Sequence, residues 1–270
     1  MKIRKAVIPA AGYGTRFLPA TKVVPKELFP IGNKPAIQYI VEEAVQAGVQ
    51  EIVFITSEGK KLIEDYFKPS PPLEAFLKEK DKLDLLPRIE ALPSLAQFHF
   101  VNQPVPKGLG DAVLCAKEII GNEPFLVLLP DDVIWSRRSC CQQLSDTYQE
   151  GREAVIALEN VLKDRVSLYG IVKTKPAGKG VHLIQSVIEK PALEEAPSTL
   201  AIIGRYLLPP TIFPILEKTR PGQLGEIQLA DALHKLAGRG ETFGLEFQGK
   251  RFDVGEPQGL VEANLALSPF

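Results

Sequence analysis

Two glycines and three cations (Arg16, Lys22 and Lys26) lie close together in the stretch AAGYGTRFLPATKVVPKEL, which covers residues 10–28. Gly12 and Gly14 permit positive φ angles and close approach to the backbone, so their N–H groups can face a phosphate. Arg16 can bind phosphate oxygens through a fork of N–H groups, and Lys26 is a point charge on a proline-stiffened segment. The glycines alone are equally consistent with a plain tight turn, but together with the cations the loop favours a polyphosphate site.

The loop differs from the two commonest phosphate-binding patterns. A dinucleotide fingerprint requires a third glycine where this chain has Phe17, and the Gly-Lys-Ser/Thr of a Walker A loop is absent. No acidic residue ends the predicted strand EIVFIT. A dinucleotide-dependent dehydrogenase is therefore disfavoured.

Two aspartates, Asp131 and Asp132, follow the apolar run PFLVLL and end a strand predicted over 124–132. Ligands of open α/β sheets bind outside the carboxyl ends of strands. A carboxylate at that place suits Mg²⁺, which takes few protein ligands and leaves positions for phosphates. For Asp132, a helix cap or a turn residue is an interpretation of nearly equal weight.

A second charged pair, Glu189 and Lys190, comes directly before Pro191. Proline disfavours helix at the preceding residue and keeps this segment extended. Neighbours on a strand point to opposite faces, so both side chains can meet one ligand only if the strand ends there. Taken alone, a Glu-Lys pair is usually a surface ion pair of small energetic value.

The elements that would position these residues alternate between strands and helices. Residues 5–10 and 51–56 are short, β-rich apolar runs, and 35–49 has apolar residues at helical spacing. This order predicts a βαβ unit in a parallel sheet. Further strands are predicted at 97–103, 124–132 and 153–161, in YGIVKTKP, in VHLIQSVIEKP and at the start of LAIIGRYLLPPTIFPILE. TFGLEFQGKRFDVG is predicted as a hairpin or two short strands, and helices are predicted in GLGDAVLCAKEII, EIQLADALHKLAGRG and PQGLVEANLAL.

Residues 59–95 interrupt this pattern with a charged, amphipathic segment. We interpret it as an exposed helical excursion with a solvated face, and a lid or a subunit contact at 73–95 is the alternative. We find neither an internal repeat nor a linker long enough to separate domains. The sequence therefore predicts a single domain over 1–270, with the excursion near 59–95 and a C-terminal helix.

Composition excludes several classes of function. The 32 basic and 33 acidic residues nearly cancel, which argues against a general nucleic-acid or membrane-surface binder. No run approaches 18 apolar residues, so we expect no transmembrane helix, and the N-terminal residues predict a strand rather than a signal peptide. Cys115, Cys140 and Cys141 are odd in number, which is typical of reduced thiols in the cytosol. The cysteines and the three histidines show no zinc-site spacing.

The loop PAAGYGTRFLPATKVVPKEL resembles the signature loop of the bacterial UTP–glucose-1-phosphate uridylyltransferases. The resemblance extends in order over nearly the whole chain, through NKPAIQYIVEEAVQAGV, GLGDAVLCAK, LPDD, YGIV, IEKP, GRYLL, GEIQLADAL and KRFDVGEPQGLVEANL. It implies a Rossmann-like α/β fold, the nucleotide-diphospho-sugar transferase fold, with a mixed and mostly parallel sheet flanked by helices. Thymidylyltransferases and adenylyltransferases for the same sugar share the glycine loop and the Glu-Lys-Pro triplet, but usually differ after Arg16.

The resemblance implies that UTP and glucose 1-phosphate react, with Mg²⁺, to give UDP-glucose and pyrophosphate. The nucleophile is a phosphate monoester whose second pKa is about 6, so it is ionised at neutral pH and needs no general base. The remaining work is positioning and charge neutralisation, which fits a chain with no obvious catalytic histidine or cysteine.

The resemblance also implies roles for individual residues. Arg16 and Lys26 would neutralise the departing pyrophosphate, Lys190 would bind the sugar phosphate, and Asp131 and Asp253 would hold the metal. The residues implied to contact the nucleotide are Ala10, Ala11, Gly12, Gly14, Glu27, Gln103 and Gly108, of which the last two face the uracil. The residues implied to contact the sugar are Asp132, Gly170, Glu189, Gly204 and Glu226.

Two other functions are compatible with parts of this evidence. A thymidylyl- or other nucleotidyltransferase would keep the fold and change the base or the sugar. A non-catalytic sugar-nucleotide-binding protein would be expected to have lost at least one of five charged residues, all present here: Arg16, Lys26, Asp131, Lys190 and Asp253. The resemblance further implies a homodimer or homotetramer. The reduced thiols predict a cytoplasmic location, and the balanced charge predicts no nucleic-acid or membrane partner.

Overall fold

The computed structural model describes residues 2–148, 153–222 and 225–268. Strands alternate with helices along most of this chain, as the apolar runs predict. The strands are β1 (Lys5–Pro9), β2 (Pro30–Ile31), β3 (Lys34–Pro35), β4 (Glu51–Thr56), β5 (Gln97–Asn102), β6 (Phe125–Leu128), β7 (Asp132–Trp135), β8 (Ala154–Asn160), β9 (Gly170–Gly178), β10 (Val181–Glu189), β11 (Leu200–Leu208), β12 (Thr242–Glu246) and β13 (Lys250–Asp253).

Helices connect and flank these strands. They are α1 (Ala36–Gln46), α2 (Lys61–Tyr66), α3 (Pro71–Glu79), α4 (Leu86–Glu90), α5 (Leu109–Cys115), α6 (Lys117–Ile120), α7 (Cys140–Thr147), α8 (Ile212–Glu217), α9 (Leu229–Ala237) and α10 (Pro257–Leu267). The final helix and the helices after Gly108 and Gln228 lie where the sequence predicts them. No helix within the described ranges combines the length and the apolar character that a membrane span requires.

Nine strands of the described residues form one sheet in the order β5–β4–β1–β6–β11–β8–β12–β10–β9. The predicted βαβ unit is confirmed, because β1 and β4 are parallel neighbours with α1 between them in the chain. Parallel pairing continues from β1 to β6 and from β4 to β5, and it recurs between β8 and β12. The other four neighbouring pairs are antiparallel.

The α/β class and the mixed sheet are thus confirmed, but parallel pairs make up half of the neighbouring pairs rather than most. One reason lies in the connections. Strands β9 and β10 follow each other without an intervening helix. Parallel neighbours need a long crossover, so these two strands pair antiparallel.

The hydrophobic core has one layer on each face of the sheet. Along β1, Ala6 and Ile8 belong to one cluster, whereas Val7 belongs to the other. This alternation follows from the period of two along a strand, and it explains why the central strands have continuous apolar sequences. Helices α1 and α7 contribute to the first cluster, and α5, α8 and α9 contribute to the second.

The segment 59–95 is helical, as predicted, but it is divided into α2, α3 and α4 with short 3-10 turns around them. Leu77, Leu86 and Leu92 are buried, whereas Phe76 and Leu83 are about half exposed (48% and 54%). One side of the excursion therefore packs on the protein while the other carries both charge and apolar surface.

The segment TFGLEFQGKRFDVG forms two short strands rather than a hairpin. Strand β12 joins the large sheet, whereas β13 pairs with β7 in a separate two-stranded ribbon. The strand predicted at 124–132 is also shorter than expected, because β6 ends at Leu128 and Asp132 begins β7. Asp131 therefore lies in a turn between two strands.

Candidate active site

The glycine-rich loop leaves the carboxyl end of β1. Ala10 still donates its N–H to Ile55 O of the neighbouring strand (2.7 Å), and Gly14 has a positive φ of 64°. A Cβ at Gly14 would lie 3.1 Å from Thr21 Cγ2, whereas a Cβ at Gly12 would meet nothing within 4 Å. Gly14 is thus needed for the turn itself, while Gly12 leaves an open stretch of backbone. Three short 3-10 turns follow, and Lys26 is the first residue of the third turn.

Lys26 contacts Asp131 directly. Its Nζ lies 2.6 Å from Asp131 Oδ2. Burial acts to raise the pKa of Asp131, but the charge and the hydrogen bond of Lys26 outweigh it and lower that pKa below its ordinary value. The same pairing raises the pKa of Lys26, although burial opposes it. Both side chains are therefore charged at neutral pH, as a site for phosphate and metal requires.

Glu27 does not face the open cleft. Its side chain is 1% exposed, and its Oε2 lies 2.8 Å from the Nζ of Lys60, whose side chain is 9% exposed. Burial lowers the pKa of Lys60, which Glu27 partly offsets. The structure gives Glu27 an anchoring contact under the loop that carries Lys26, and the predicted contact with the nucleotide gains no support from it.

Asp253 lies beside Asp131 at the end of the β7–β13 ribbon. A Cβ at Gly255 would be 3.1 Å from Asp131 Oδ2 and equally 3.1 Å from Asp253 Oδ1, so both carboxylates lie close against this glycine. Val254 also donates its N–H to Asp131 O (2.8 Å). Burial, followed by the charge of Asp132, raises the pKa of Asp253. A pair of crowded carboxylates next to open space is what a divalent cation would stabilise.

The described residues contain no group of three or more His, Cys, Asp or Glu side chains arranged to hold a metal ion. Mg²⁺ is usually bound by one or two carboxylates together with substrate phosphates. Asp131 and Asp253 are the two residues that suit it here.

Arg251, which the sequence analysis did not single out, joins the acidic residues. Its guanidinium binds Asp132 Oδ1 through Nε, Glu159 through Nη1 at 3.2 Å and Asp253 through Nη2 at 3.3 Å. It also lies 5.2 Å from the centre of the Tyr169 ring. One signal could have found it, because Arg251 is two residues before Asp253 on a predicted strand and shares its face.

Asp132 and Gly204 contact each other rather than leaving their polar groups free. Gly204 donates its N–H to Asp132 Oδ2 (3.0 Å), while Arg251 binds the other carboxylate oxygen. A Cβ at Gly204 would lie 2.6 Å from Asp132 Oδ2 and 2.6 Å from Leu129 Cβ. This arrangement agrees with the turn-residue interpretation of Asp132 more than with a direct contact to a sugar.

Glu189 and Lys190 lie at the end of β10, as their joint access to one ligand requires. Strand β10 ends at Glu189, and Lys190 has a positive φ of 46°. Lys190 Nζ is 3.8 Å from Glu189 Oε1 and its side chain is 60% exposed. Burial raises the pKa of Glu189 and Lys190 lowers it, while Asp231 and Glu226 raise it further. A Cβ at Gly170 would come within 3.2 Å of Glu189 Oε2, so Gly170 leaves room beside this carboxylate.

The residues predicted for the base lie after β5. Gln103 is buried and donates from Nε2 to Asp111 Oδ2 (2.7 Å), which fixes its amide. Gly108 has a φ of 97°, and a Cβ there would lie 2.7 Å from Ile227 O. Gly108 therefore has a packing role in this structure. Glu226 lies in the adjacent loop before α9 and accepts from Gln228 Nε2 (2.6 Å).

A cleft of about 270 Å³ brings many of the predicted residues together. Those lining it are Arg16, Asp131, Asp132, Gly170, Glu189, Lys190, Gly204 and Asp253. Arg16 enters it from the glycine-rich loop and pairs with Glu256 (Nε to Oε1, 3.1 Å). The lining of this cleft does not include Ala10, Ala11, Gly12, Gly14, Glu27, Gln103, Gly108 or Glu226, and Lys26 reaches it through Asp131. The cleft therefore suits a sugar phosphate, with the loop residues next to it.

Comparison with known proteins agrees with this geometry. The profile of the nucleotidyl transferase family matches residues 5–268. A UTP–glucose-1-phosphate uridylyltransferase of Bacillus subtilis (strain 168) is 46% identical over 264 residues, 98% of this chain and 90% of the relative. One of Streptococcus pneumoniae serotype 4 is 48% identical over 269 residues, with the same coverage of 98% and 90%.

Solved structures give the same result. A UDP-glucose pyrophosphorylase complexed with UDP-glucose superposes with a TM-score of 0.89 at 44% identity, covering 98% of each chain. A UTP-bound UGPase from Acinetobacter baumannii superposes with a TM-score of 0.90 at 39% identity, covering 98% of this chain and 93% of that one. The resemblance inferred from the sequence motifs is confirmed: the chain belongs to the nucleotidyl transferase family.

Proposed function

We propose that the protein transfers a uridylyl group from UTP to glucose 1-phosphate, giving UDP-glucose and pyrophosphate. The observation that carries the proposal is the 2.6 Å contact between Lys26 and Asp131 at the edge of a cleft that also holds Glu189 and Lys190. It brings a phosphate-binding cation, a metal-binding carboxylate and a sugar-phosphate pair together. The close relatives bearing the name UTP–glucose-1-phosphate uridylyltransferase support the choice of base and sugar.

The reaction needs positioning more than proton transfer. The phosphate oxygen of the sugar phosphate is ionised at neutral pH and attacks the α-phosphorus of UTP in line with the departing pyrophosphate. Lys190, exposed at the end of β10, binds the attacking phosphate, and Glu189 accepts hydroxyl groups of the sugar. Arg16 and Lys26 stabilise the charge that develops on the pyrophosphate. The oriented backbone of Ala10, Ala11, Gly12 and Gly14 would hold the nucleotide phosphates.

Asp131 and Asp253 would hold the metal ion. When bound there, Mg²⁺ would neutralise charge on the phosphate oxygens during the transfer. The chain's contribution is to lower the pKa of Asp131 through Lys26 and to bind Asp253 from the other side through Arg251. Gln103, whose amide is fixed by Asp111, would accept a hydrogen bond from uracil N3 beside Gly108.

The remaining expectations are also proposals. One continuous nine-stranded sheet among the described residues supports a single domain. Free thiols at Cys115, Cys140 and Cys141 support a reducing, cytoplasmic location. The exposed apolar side chains of Phe76 and Leu83 on the excursion support a subunit contact in a homodimer or homotetramer, which light scattering on the purified protein tests.

The test of the function is pyrophosphate release with glucose 1-phosphate and Mg²⁺, run separately with UTP, dTTP, ATP, CTP and GTP. We expect UTP to react much faster than the others and a chelator to stop the reaction. A faster reaction with dTTP or another nucleotide would contradict the base assignment and leave the transfer chemistry intact. Binding of UDP-glucose without turnover of any nucleotide would instead favour a non-catalytic sugar-nucleotide-binding protein.

A further inference from the structure

A fully buried ion pair lies behind the turn that carries Asp131. Arg205, in the middle of β11, is 0% exposed, and its partner Glu43 on α1 is 6% exposed. The guanidinium binds Glu43 from Nε (3.1 and 3.2 Å) and from Nη2 (2.8 Å). Glu43 also accepts the Cys141 N–H at 3.2 Å. Burying two charges is costly, so such a pair is weak evidence for added stability and calls for another explanation.

The rest of the guanidinium binds backbone. Nη1 donates to Leu129 O (3.1 Å) and Gly204 O (2.9 Å), and Nη2 donates to Asp132 O (2.5 Å). Leu129 and Asp132 are on either side of the turn that contains Asp131, directly after the end of β6. The carbonyl between them, Asp131 O, accepts from Val254 of the ribbon. Hydrogen bonds from the Arg205 guanidinium and from the Val254 N–H therefore both fix the backbone of this turn.

We propose that Arg205, oriented by Glu43, is a positioning residue that sets the 129–132 turn so that the Asp131 carboxylate meets Lys26 and the metal. The inference rests on the proposed function for the role of Asp131. Arg205 is not a catalytic residue, because it has no exposed surface and does not line the cleft.

Arginine suits this position in a way that lysine does not. Its planar fork binds two carbonyls of one turn and a carboxylate at the same time, whereas an ammonium is a single point charge. Arg205 also touches Gly204 O, and the Gly204 N–H binds Asp132 Oδ2. One side chain thereby fixes the backbone on both sides of the turn, and the loss of its carbonyl contacts should alter metal binding more than sugar binding.

The test compares the double variant Glu43→Met/Arg205→Met with the wild-type protein. Removing both charges together avoids leaving one of them buried and unpaired, and methionines fill similar space. The control is Lys117→Met/Glu217→Met, which removes an exposed ion pair of 2.6 Å whose residues do not line the cleft. Arg205→Lys is the second variant, because it keeps the charge and loses the fork.

Two measurements decide the outcome, and the KM for glucose 1-phosphate is the control readout. The first is hydrogen exchange of the amides of Leu129, Asp131, Asp132 and Val133, which we expect to become about tenfold faster in the double variant and unchanged in the control. The second is Mn²⁺ binding with UTP and without glucose 1-phosphate, followed by electron paramagnetic resonance. We expect the affinity to fall by about 10- to 100-fold, as for other groups that orient metal ligands. The KM for glucose 1-phosphate should change by less than about twofold, since Glu189 and Lys190 lie on another strand.

A folded double variant with unchanged exchange in 129–133 would overturn the proposal, and so would unchanged Mn²⁺ affinity in a wild-type protein that binds the ion. If Arg205→Lys kept the wild-type exchange rates and the wild-type Mn²⁺ affinity, the guanidinium fork would be dispensable and the proposal would also fail. Failure of the wild-type protein to bind Mn²⁺ with UTP would count against the proposed function, and hydrogen exchange would still decide whether Arg205 holds the turn.

Discussion

Lys26 Nζ lies 2.6 Å from Asp131 Oδ2, and this contact joins the loop after β1 to the turn after β6. Lys26, which is expected to bind pyrophosphate, and Asp131, which is expected to bind the metal, are thus in direct contact within the protein itself. The contact also explains why the pKa of Asp131 is lowered in spite of its burial.

Replacing Lys26 by methionine should reduce kcat by about 100- to 1,000-fold, because a fixed positive charge near the departing pyrophosphate is lost. Steady-state UDP-glucose formation measures this. The control is Lys22→Met, which removes an exposed lysine from the same loop. Equal effects of the two substitutions would show that Lys26 contributes only to the general charge of the loop.

Gly12→Ala separates a phosphate-binding backbone from a plain turn. A Cβ there meets nothing within 4 Å, so stability should be unchanged or should rise by about 0.4–1 kcal/mol. If nucleotide phosphates approach this backbone, the KM for UTP should rise by about tenfold, while the melting temperature does not fall. An unchanged KM in this stable variant would favour the plain turn.

Lys190 combines an unusual backbone conformation with an exposed charge. Lys190→Gly and Lys190→Ala should both lower kcat/KM for glucose 1-phosphate by about 100-fold, because each removes the cation. Denaturant unfolding should find the glycine variant more stable than the alanine variant by about 1 kcal/mol, since φ is 46° at this position. Unchanged kinetics in both variants would remove Lys190 from the site.

Glu189 should make the protein less stable as pH rises. Burial raises its pKa above the ordinary 4.5, so the unfolded chain releases this proton at lower pH than the folded protein. Stability therefore falls as pH rises above 4.5 and levels off once the folded carboxyl is ionised. Glu189→Gln should be more stable than the wild-type protein at pH 7, with a gain that shrinks as pH is lowered towards 4.5.

The same variant should have a KM for glucose 1-phosphate raised by about tenfold, because a charged acceptor for the sugar hydroxyls is lost. Thermal unfolding between pH 4.5 and pH 8 measures the stability of Glu189→Gln. The control for the change of charge is Glu194→Gln, which replaces an exposed glutamate. A variant less stable than the wild-type protein at pH 7 would contradict the effect of burial.

Asp111 should affect the choice of base without touching the nucleotide. It accepts from Gln103 Nε2, which leaves Gln103 Oε1 as the end that accepts from uracil N3. In Asp111→Ala the amide is free to turn and present a donor to cytosine. The preference for UTP over CTP in kcat/KM should therefore fall by about tenfold. An unchanged preference would show that Gln103 does not select the base.

The sequence predicts features that depend on local pattern. The βαβ unit, the glycine-rich loop after β1 and the strand end at Glu189 follow from apolar periodicity and from glycine and proline signals within a few residues. These features also bring Arg16, Asp131 and Lys190 to one edge of the sheet, so much of the candidate site could be predicted.

Partners of buried charges could not be predicted in the same way. Glu43 and Arg205 are 162 residues apart, and Lys60 and Glu27 are 33 apart. A local signal existed, since Glu43 lies on the apolar face of α1, three residues after Ile40, and Arg205 interrupts an apolar strand. Such a signal shows that a charge is buried but does not say which residue compensates it, because that depends on the tertiary fold.

The β7–β13 ribbon has a consequence for synthesis of the protein. It places Arg251 against Asp132, which are 119 residues apart in the chain. At about 5–20 residues per second, a ribosome needs roughly 6–24 s to make the chain between them. Throughout that time the newly made sheet edge carries Asp131 and Asp132 without the strand that faces them. The acidic centre of Asp131, Asp132 and Asp253 is therefore complete only after Arg251 and Asp253 have been made, long after β6 and the turn that follows it.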